Sequence, residues 1–163
     1  MKNPQKHLNR GLTLVEVLIA TSIILIFLMA LLGAHNLYLK TALANGEVVK
    51  GAYLAEEGAE VVRFLRDSSW DTNIASLSLD TDYYLVWSGG AWQVTTAETL
   101  IDSVFERTIT LSAVYRDASA DIVSSGGTLD PDTLMVVSSV SWPKNGITTT
   151  KSISTYITNI FDD

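Results

Sequence analysis

The chain has 163 residues, 47% of them hydrophobic, with a net charge of −7 and no cysteine. That length suits one domain with an appendage, and the missing thiols exclude disulfides, thiolate metal sites and cysteine nucleophiles. Residues 1–11 carry Lys2, Lys6 and Arg10 and no acid, whereas 8 basic and 18 acidic residues follow from Leu12 onward; so acidic a surface repels phosphate backbones and argues against direct nucleic-acid binding.

The basic leader, residues 1–11, runs into LTLVEVLIATSIILIFLMALL, the 21 residues from Leu12 to Leu32. A helix of that length spans roughly 30 Å, the thickness of a bilayer core. The basic residues before it place the N-terminus in the cytoplasm and the larger C-terminal part outside. A secretory signal has a shorter apolar core and a small-x-small cleavage site. A plain signal anchor accounts for length and orientation but leaves Glu16 inside the run unexplained.

A short basic leader ending in Gly11, followed by Leu12 and by Glu16 four residues on, resembles the class III signal of type IV prepilins and pseudopilins. Leu12 stands where Phe is commonest in that family. The resemblance implies cleavage between Gly11 and Leu12 by a membrane-embedded prepilin peptidase, then N-methylation of Leu12. Glycine suits the scissile position because it has no side chain to obstruct the backbone. The resemblance also implies storage in the cytoplasmic membrane with the head outside. Extraction into a cell-surface helical filament of like subunits and other pilins would follow, with a platform protein and an ATPase as partners. In such a bundle the Glu16 carboxylate of one subunit meets the new ammonium at Leu12 of a neighbour. An unpaired carboxylate at mid-bilayer costs about 3 kcal/mol or more, so a subunit at the wrong axial height is penalised. Thr13-x-x-Glu16 also fits a capping box, a local role compatible with the first.

Gly33 follows the span and is a weak point for bending or melting when subunits pack, or else a place for close helix approach. Residues 33–67 read as an amphipathic continuation of the helix. Val48, Ala52, Ala55, Ala59, Val62 and Leu65 form one apolar stripe. Glu56, Glu57, Glu60, Arg63 and Arg66 read as a solvated face. The helix is expected to end near Asp67-Ser68-Ser69. A rod from Leu12 to Arg66 is about 80 Å long, too long for one small domain to bury, so its first half needs lipid or other subunits.

Residues 68–163 read as a β-rich head. Tyr83–Trp87 and Trp92–Thr95 flank the hairpin turn Ser88-Gly89-Gly90. Phe105, Arg107, Ile109, Leu111, Ala113 and Tyr115 alternate with mostly polar residues, as do Leu134, Val136, Val140 and Trp142. Ile147, Ile153 and Ile157 mark a last strand after Pro143-Lys144-Asn145-Gly146. Antiparallel strands of this kind leave one face for a cover, and the stripe on residues 48–65 supplies it. The fold class is α+β, a helical spine packed on an antiparallel sheet, which is also the pilin architecture.

Chemistry is sparse. The two histidines, His7 and His35, flank the apolar run, so a Ser-His-Asp arrangement is impossible in the head. GxSxG is absent, and Ser125-Gly126-Gly127 lacks the lysine of a phosphate loop. No enzymatic activity and no cofactor are expected. Asp117, Asp121, Asp130 and Asp132 gather in a stretch between two strands and are candidates for Ca²⁺, a hard cation that takes carboxylates from flexible loops. Asp-Pro-Asp and Gly-Gly account for the same residues as turns. Trp70, Trp87, Trp92 and Trp142 read as core or interface aromatics. The expected function is a structural subunit of a type IV pilus-like filament. A pseudopilin of a type II secretion or DNA-uptake system, or a membrane-anchored adhesin domain that never polymerises, remain the alternatives.

Overall fold

A computed structural model describes residues 13–144 and 146–160. One helix, α1 (Leu14–Ser68), runs 55 residues. It contains no proline and keeps Glu16 in its first turn and Arg66 in its last, each suited to the dipole end it occupies. It stops where expected, and a π-helical turn, Asp71–Ala75, follows. The chain divides into two units at Leu43/Ala44.

In the second unit the strands are β1 (Tyr84–Ser88), β2 (Ala91–Thr95), β3 (Leu100–Ile101), β4 (Phe105–Arg116), β5 (Ile122–Val123), β6 (Thr128–Lys144) and β7 (Ile147–Thr158). β1 and β2 form a hairpin closed by Gly89 and Gly90, both at positive φ, as a two-residue turn requires. The larger sheet is antiparallel in the order β3-β4-β6-β7, with β5 beside the end of β4.

The last 25 residues of α1 cover one face of this sheet. Val61, Val62 and Leu65 pack with Trp70, Ile74, Ile109, Leu111, Val136 and Ile157. A second cluster joins Ala55 to Phe105, Val140 and Trp142. The stripe differs from its sequence reading, which left out buried Val61. Ala52 is exposed, and Gly51 and Gly58 take the buried positions. A Cβ on Gly51 would lie 2.5 Å from Trp142 Cζ3, and one on Gly58 would lie 2.3 Å from Ser138 Oγ. The helix thus approaches the sheet through residues that have no side chain, and a hydropathy pattern does not register them.

Two strand readings are corrected by a bulge. Between Ala113 and Val114 the β4–β6 register jumps from Leu134 to Asp130. Beyond the jump Val114 is buried and Tyr115 is exposed, so the alternation that begins at Phe105 changes face. Pro131 lies within β6 at this bulge, where its missing N–H leaves no ladder bond unmade. Asp130-Pro131-Asp132 is therefore part of a strand, although Asp130 Oδ1 accepts from the Asp132 N–H as in an Asx-turn.

Candidate functional site

Helix α1 starts with a reciprocal pair. The backbone N–H and the hydroxyl of Thr13 both donate to Glu16 Oε2, at 3.0 Å each. The Glu16 N–H donates back to Thr13 Oγ1 at 3.3 Å. This is a capping box, which satisfies helix-end donors that have no partner within the helix. It occupies Oε2 alone; Oε1 accepts no hydrogen bond among the described residues.

The other polar side chains of the apolar stretch are satisfied within the helix. Thr21 donates to the Val17 carbonyl at 2.9 Å and Ser22 to the Leu18 carbonyl at 2.7 Å. Every side chain from Thr13 to Leu43 is exposed, including Phe27 and Met29 at 67% and 73%. This stretch is long and apolar enough to cross a membrane, and none of its most apolar window is buried by the chain itself. Gly33 lies inside α1, and no atom beyond its own helical turn comes within 4 Å of a Cβ built there. Gly11 and Leu12 lie outside the described residues.

The acidic candidates in the head do not converge. Asp117 closes a turn: its Oδ1 accepts from the backbone N–H of Ser119 at 2.8 Å and of Asp121 at 3.1 Å. Asp130 accepts from Arg116 Nε at 2.6 Å, and its other oxygen accepts from the Asp132 backbone. The Arg116 guanidinium holds the Asp130 carboxyl below the usual carboxylate range. Among the described residues no group of three or more acidic or histidine side chains is placed to hold a metal ion.

A charged contact between helix and sheet was missed by the sequence reading. Glu57, read there as part of a solvated face, accepts from Arg107 Nη1 at 2.6 Å. Arg107 is 3% exposed, also donates to the Leu54 carbonyl at 3.3 Å, and lies 5.6 Å above the Trp92 ring. Arg107 occupies an inward position of β4, and a basic residue at such a position is the sequence signal by which a partner on the cover can be found. Glu60 and Arg63 pair one turn apart along the helix, at its exposed face. Of the tryptophans, Trp70 and Trp142 are core, Trp92 is partly buried, and Trp87 is exposed and stacks edge-on against Trp92 at 5.5 Å. Tyr84, on the other side of the hairpin, donates to Glu106 at 2.9 Å, and this carboxylate pushes the phenol up to about 12.

Residues 6–32 match the family model of the prokaryotic N-terminal methylation motif. The chain thus carries a prepilin-type N-terminal signal. The match covers the end of the leader and the apolar start of α1, the stretch that presents Glu16. No curated protein and no solved structure matches the chain. The head is an α+β unit, a helix packed on an antiparallel sheet, the arrangement that the resemblance led one to expect. The signal points to a structural subunit rather than an enzyme, and it fits membrane anchoring through the apolar helix. It also implies, in general terms, assembly with other pilins and handling by a prepilin peptidase.

Proposed function

We propose that this chain is a structural subunit of a type IV pilus-like filament. It is inserted in the cytoplasmic membrane with its head outside and cleaved between Gly11 and Leu12. After N-methylation of Leu12 it is drawn into a helical bundle, by a platform protein and an ATPase, through the first half of α1. The chain itself carries no catalytic chemistry. The observation that carries this reading is the combination of a methylation motif over residues 6–32 with an apolar helix segment that the chain leaves wholly exposed. Lipid first, then other subunits, would cover that surface.

Glu16 is the register residue in this reading. The capping box engages Oε2, which leaves Oε1 to meet the Leu12 ammonium of a neighbour. Capping and pairing therefore act together. Gly33 is the weak point where α1 yields when subunits pack.

The decisive experiment is the N-terminus of the mature chain. N-methyl-Leu12 in sheared surface filaments is the expected finding. An intact Met1 in working cells would refute the reading and favour a non-polymerising anchor. A Glu16→Gln variant retains hydrogen bonding without charge, and it is expected to be processed normally yet to assemble poorly. Filaments at the wild-type level from that variant would sink the pairing role.

A further inference from the structure

β7 (Ile147–Thr158) is an edge strand of twelve residues. Its pairing with β6 is uninterrupted from Thr133↔Thr158 to Lys144↔Ile147. It contains no proline, glycine or bulge. Those devices, with short length and charge, are how proteins blunt an open sheet edge. The other long side of β4 is covered in places by the chain itself, through Asp80 N–H to the Leu111 carbonyl and the Tyr83↔Ile109 bridge.

The orientation of the free backbone groups follows from the ladder. The Asn159 N–H donates to the Asp132 carbonyl at 2.8 Å, extending the same register. Hydrogen-bonded pairs alternate along an antiparallel ladder, so the odd-numbered residues of β7 bond to β6. Thr133 and Thr158 form one of the intervening pairs, whose side chains lie closer, and their hydroxyls are 3.2 Å apart. The backbone N–H and C=O groups of Thr148, Thr150, Ser152, Ser154 and Tyr156 therefore point away from the sheet.

Charge marks the same edge. Lys50, Arg63, Arg66, Arg107 and Arg116 are paired with carboxylates of the chain. Lys144, the last residue of β6 and paired with Ile147 where β7 begins, and Lys151, within β7, form no ion pair among the described residues. Exposed Asp80, Asp82 and Glu98 lie on the far side of β4 and before β3. The head thus has a basic open edge and an acidic opposite edge. Direction also fits. Gly51 sits on Trp142 and Gly58 on Ser138, so α1 runs along β6 in the opposite sense. Copies packed side by side through α1 bring strands of this direction side by side.

We propose that the β7 edge is a strand-pairing surface for a second copy of this chain, with Lys144 and Lys151 set against that copy's acidic edge. This rests on the filament reading above. The test compares wild type with Ser152→Pro and Ser154→Pro in cells that assemble the full chain. Each substitution removes an outward N–H and leaves the β6 ladder intact. The membrane pool is expected to stay at the wild-type level while sheared filaments fall about tenfold, as loss of backbone bonds at every contact requires. Ile153→Pro removes a ladder bond to β6 and is expected to deplete the membrane pool as well. Lys144→Glu/Lys151→Glu leaves the backbone untouched and is expected to lower filament yield several-fold; this variant decides the matter should the proline variants fail to accumulate. Wild-type filament yield from the charge variant, or from proline variants that accumulate normally, overturns the edge pairing alone. Absence of filaments from the wild-type chain overturns the filament reading and the edge pairing with it.

Discussion

Gly58→Ala isolates the contact between α1 and the sheet. In an exposed helix interior the substitution stabilises by about 1 kcal/mol, because Ala has the higher helix propensity and the less flexible unfolded chain. At Gly58 the new Cβ would lie 2.3 Å from Ser138 Oγ, 3.0 Å from Arg107 Cδ and 3.1 Å from Ile109 Cδ1. The Ser138 hydroxyl must move by roughly 1 Å to reach ordinary contact, and overpacking of a filled core costs about 1–3 kcal/mol. Ser138 is wholly buried, and Arg107 is held by Glu57, so neither neighbour gives way freely. The net expectation is destabilisation of about 1 kcal/mol, or a Tm lower by about 4 °C. Gly46, in the same helix with nothing within 4 Å of its Cβ, provides the control: Gly46→Ala is expected to raise Tm by a similar amount. Ser138 Oγ has no hydrogen-bond partner, so Ser138→Ala alone should be close to neutral. Combined with Gly58→Ala it should restore most of the loss, an interaction term of about 1 kcal/mol in a double-mutant cycle. The assay is thermal unfolding of the full chain in detergent, followed by circular dichroism. The reasoning fails if Gly58→Ala raises Tm as Gly46→Ala does, or if Ser138→Ala brings no recovery.

Gly51→Ala meets the rigid indole of Trp142 at 2.5 Å and is expected to lower Tm more than Gly58→Ala, about 2 kcal/mol; an equal or smaller drop in the same scan would contradict this. Glu57→Gln strips the counter-charge from buried Arg107 and is expected to destabilise by about 2 kcal/mol, below the full range for buried pairs because Glu57 is half exposed; urea midpoints measure it. Because Arg116 lowers the folded pKa of Asp130, that pair stabilises above the ordinary aspartate range and the contribution disappears as pH falls through the folded value. Asp130→Asn should therefore narrow its stability deficit on acidification, and a deficit independent of pH would refute the assignment. Asp117 and Asp130 are already engaged with backbone and arginine, so Tm is expected to be unchanged by Ca²⁺ or by a chelator; a rise with Ca²⁺ alone would restore the metal candidates.

What the sequence made legible was what periodicity and turn chemistry report directly. The length of α1, its stop at Ser68, the Gly89-Gly90 hairpin and the inward sets on β4 and β6 all follow from repeat spacing or from residues with special backbone freedom. Three things were not legible, each for a stated physical cause. Gly51 and Gly58 line the helix–sheet contact, but a glycine contributes nothing to an apolar pattern. The bulge at Ala113/Val114 changes the face of Tyr115, and its origin lies in three residues of β6 that have no partner on β4, which β4's own alternation cannot report. Glu57 resembles its neighbours Glu56 and Glu60 in sequence, and only its position over Arg107 separates it from them. At the candidate assembly site the motif residues were legible and the division of Glu16's two oxygens was not, since that depends on the hydroxyl of Thr13.

In the filament proposed above, the arrangement at the start of α1 would let one acid suffice for register. Dispersion and apolar burial hold packed helices together but vary little when one helix slides along another. Thr21 and Ser22 turn their hydroxyls back onto the helix, so they offer a neighbour no fixed hydrogen-bonding address. Between Thr13 and Leu39, Glu16 is the single carboxylate, and His35 and Tyr38 are the other ionisable side chains. A shift of one helical turn, about 5.4 Å, would keep most apolar contact and separate the Glu16 carboxylate from its proposed ammonium. Moving the acid tests this directly. Glu16→Gln with Ile19→Glu places the charge three residues along the same apolar segment. If the charge sets the height, the filament's axial rise changes or assembly stops. An unchanged rise at wild-type yield would show that apolar shape alone sets the register.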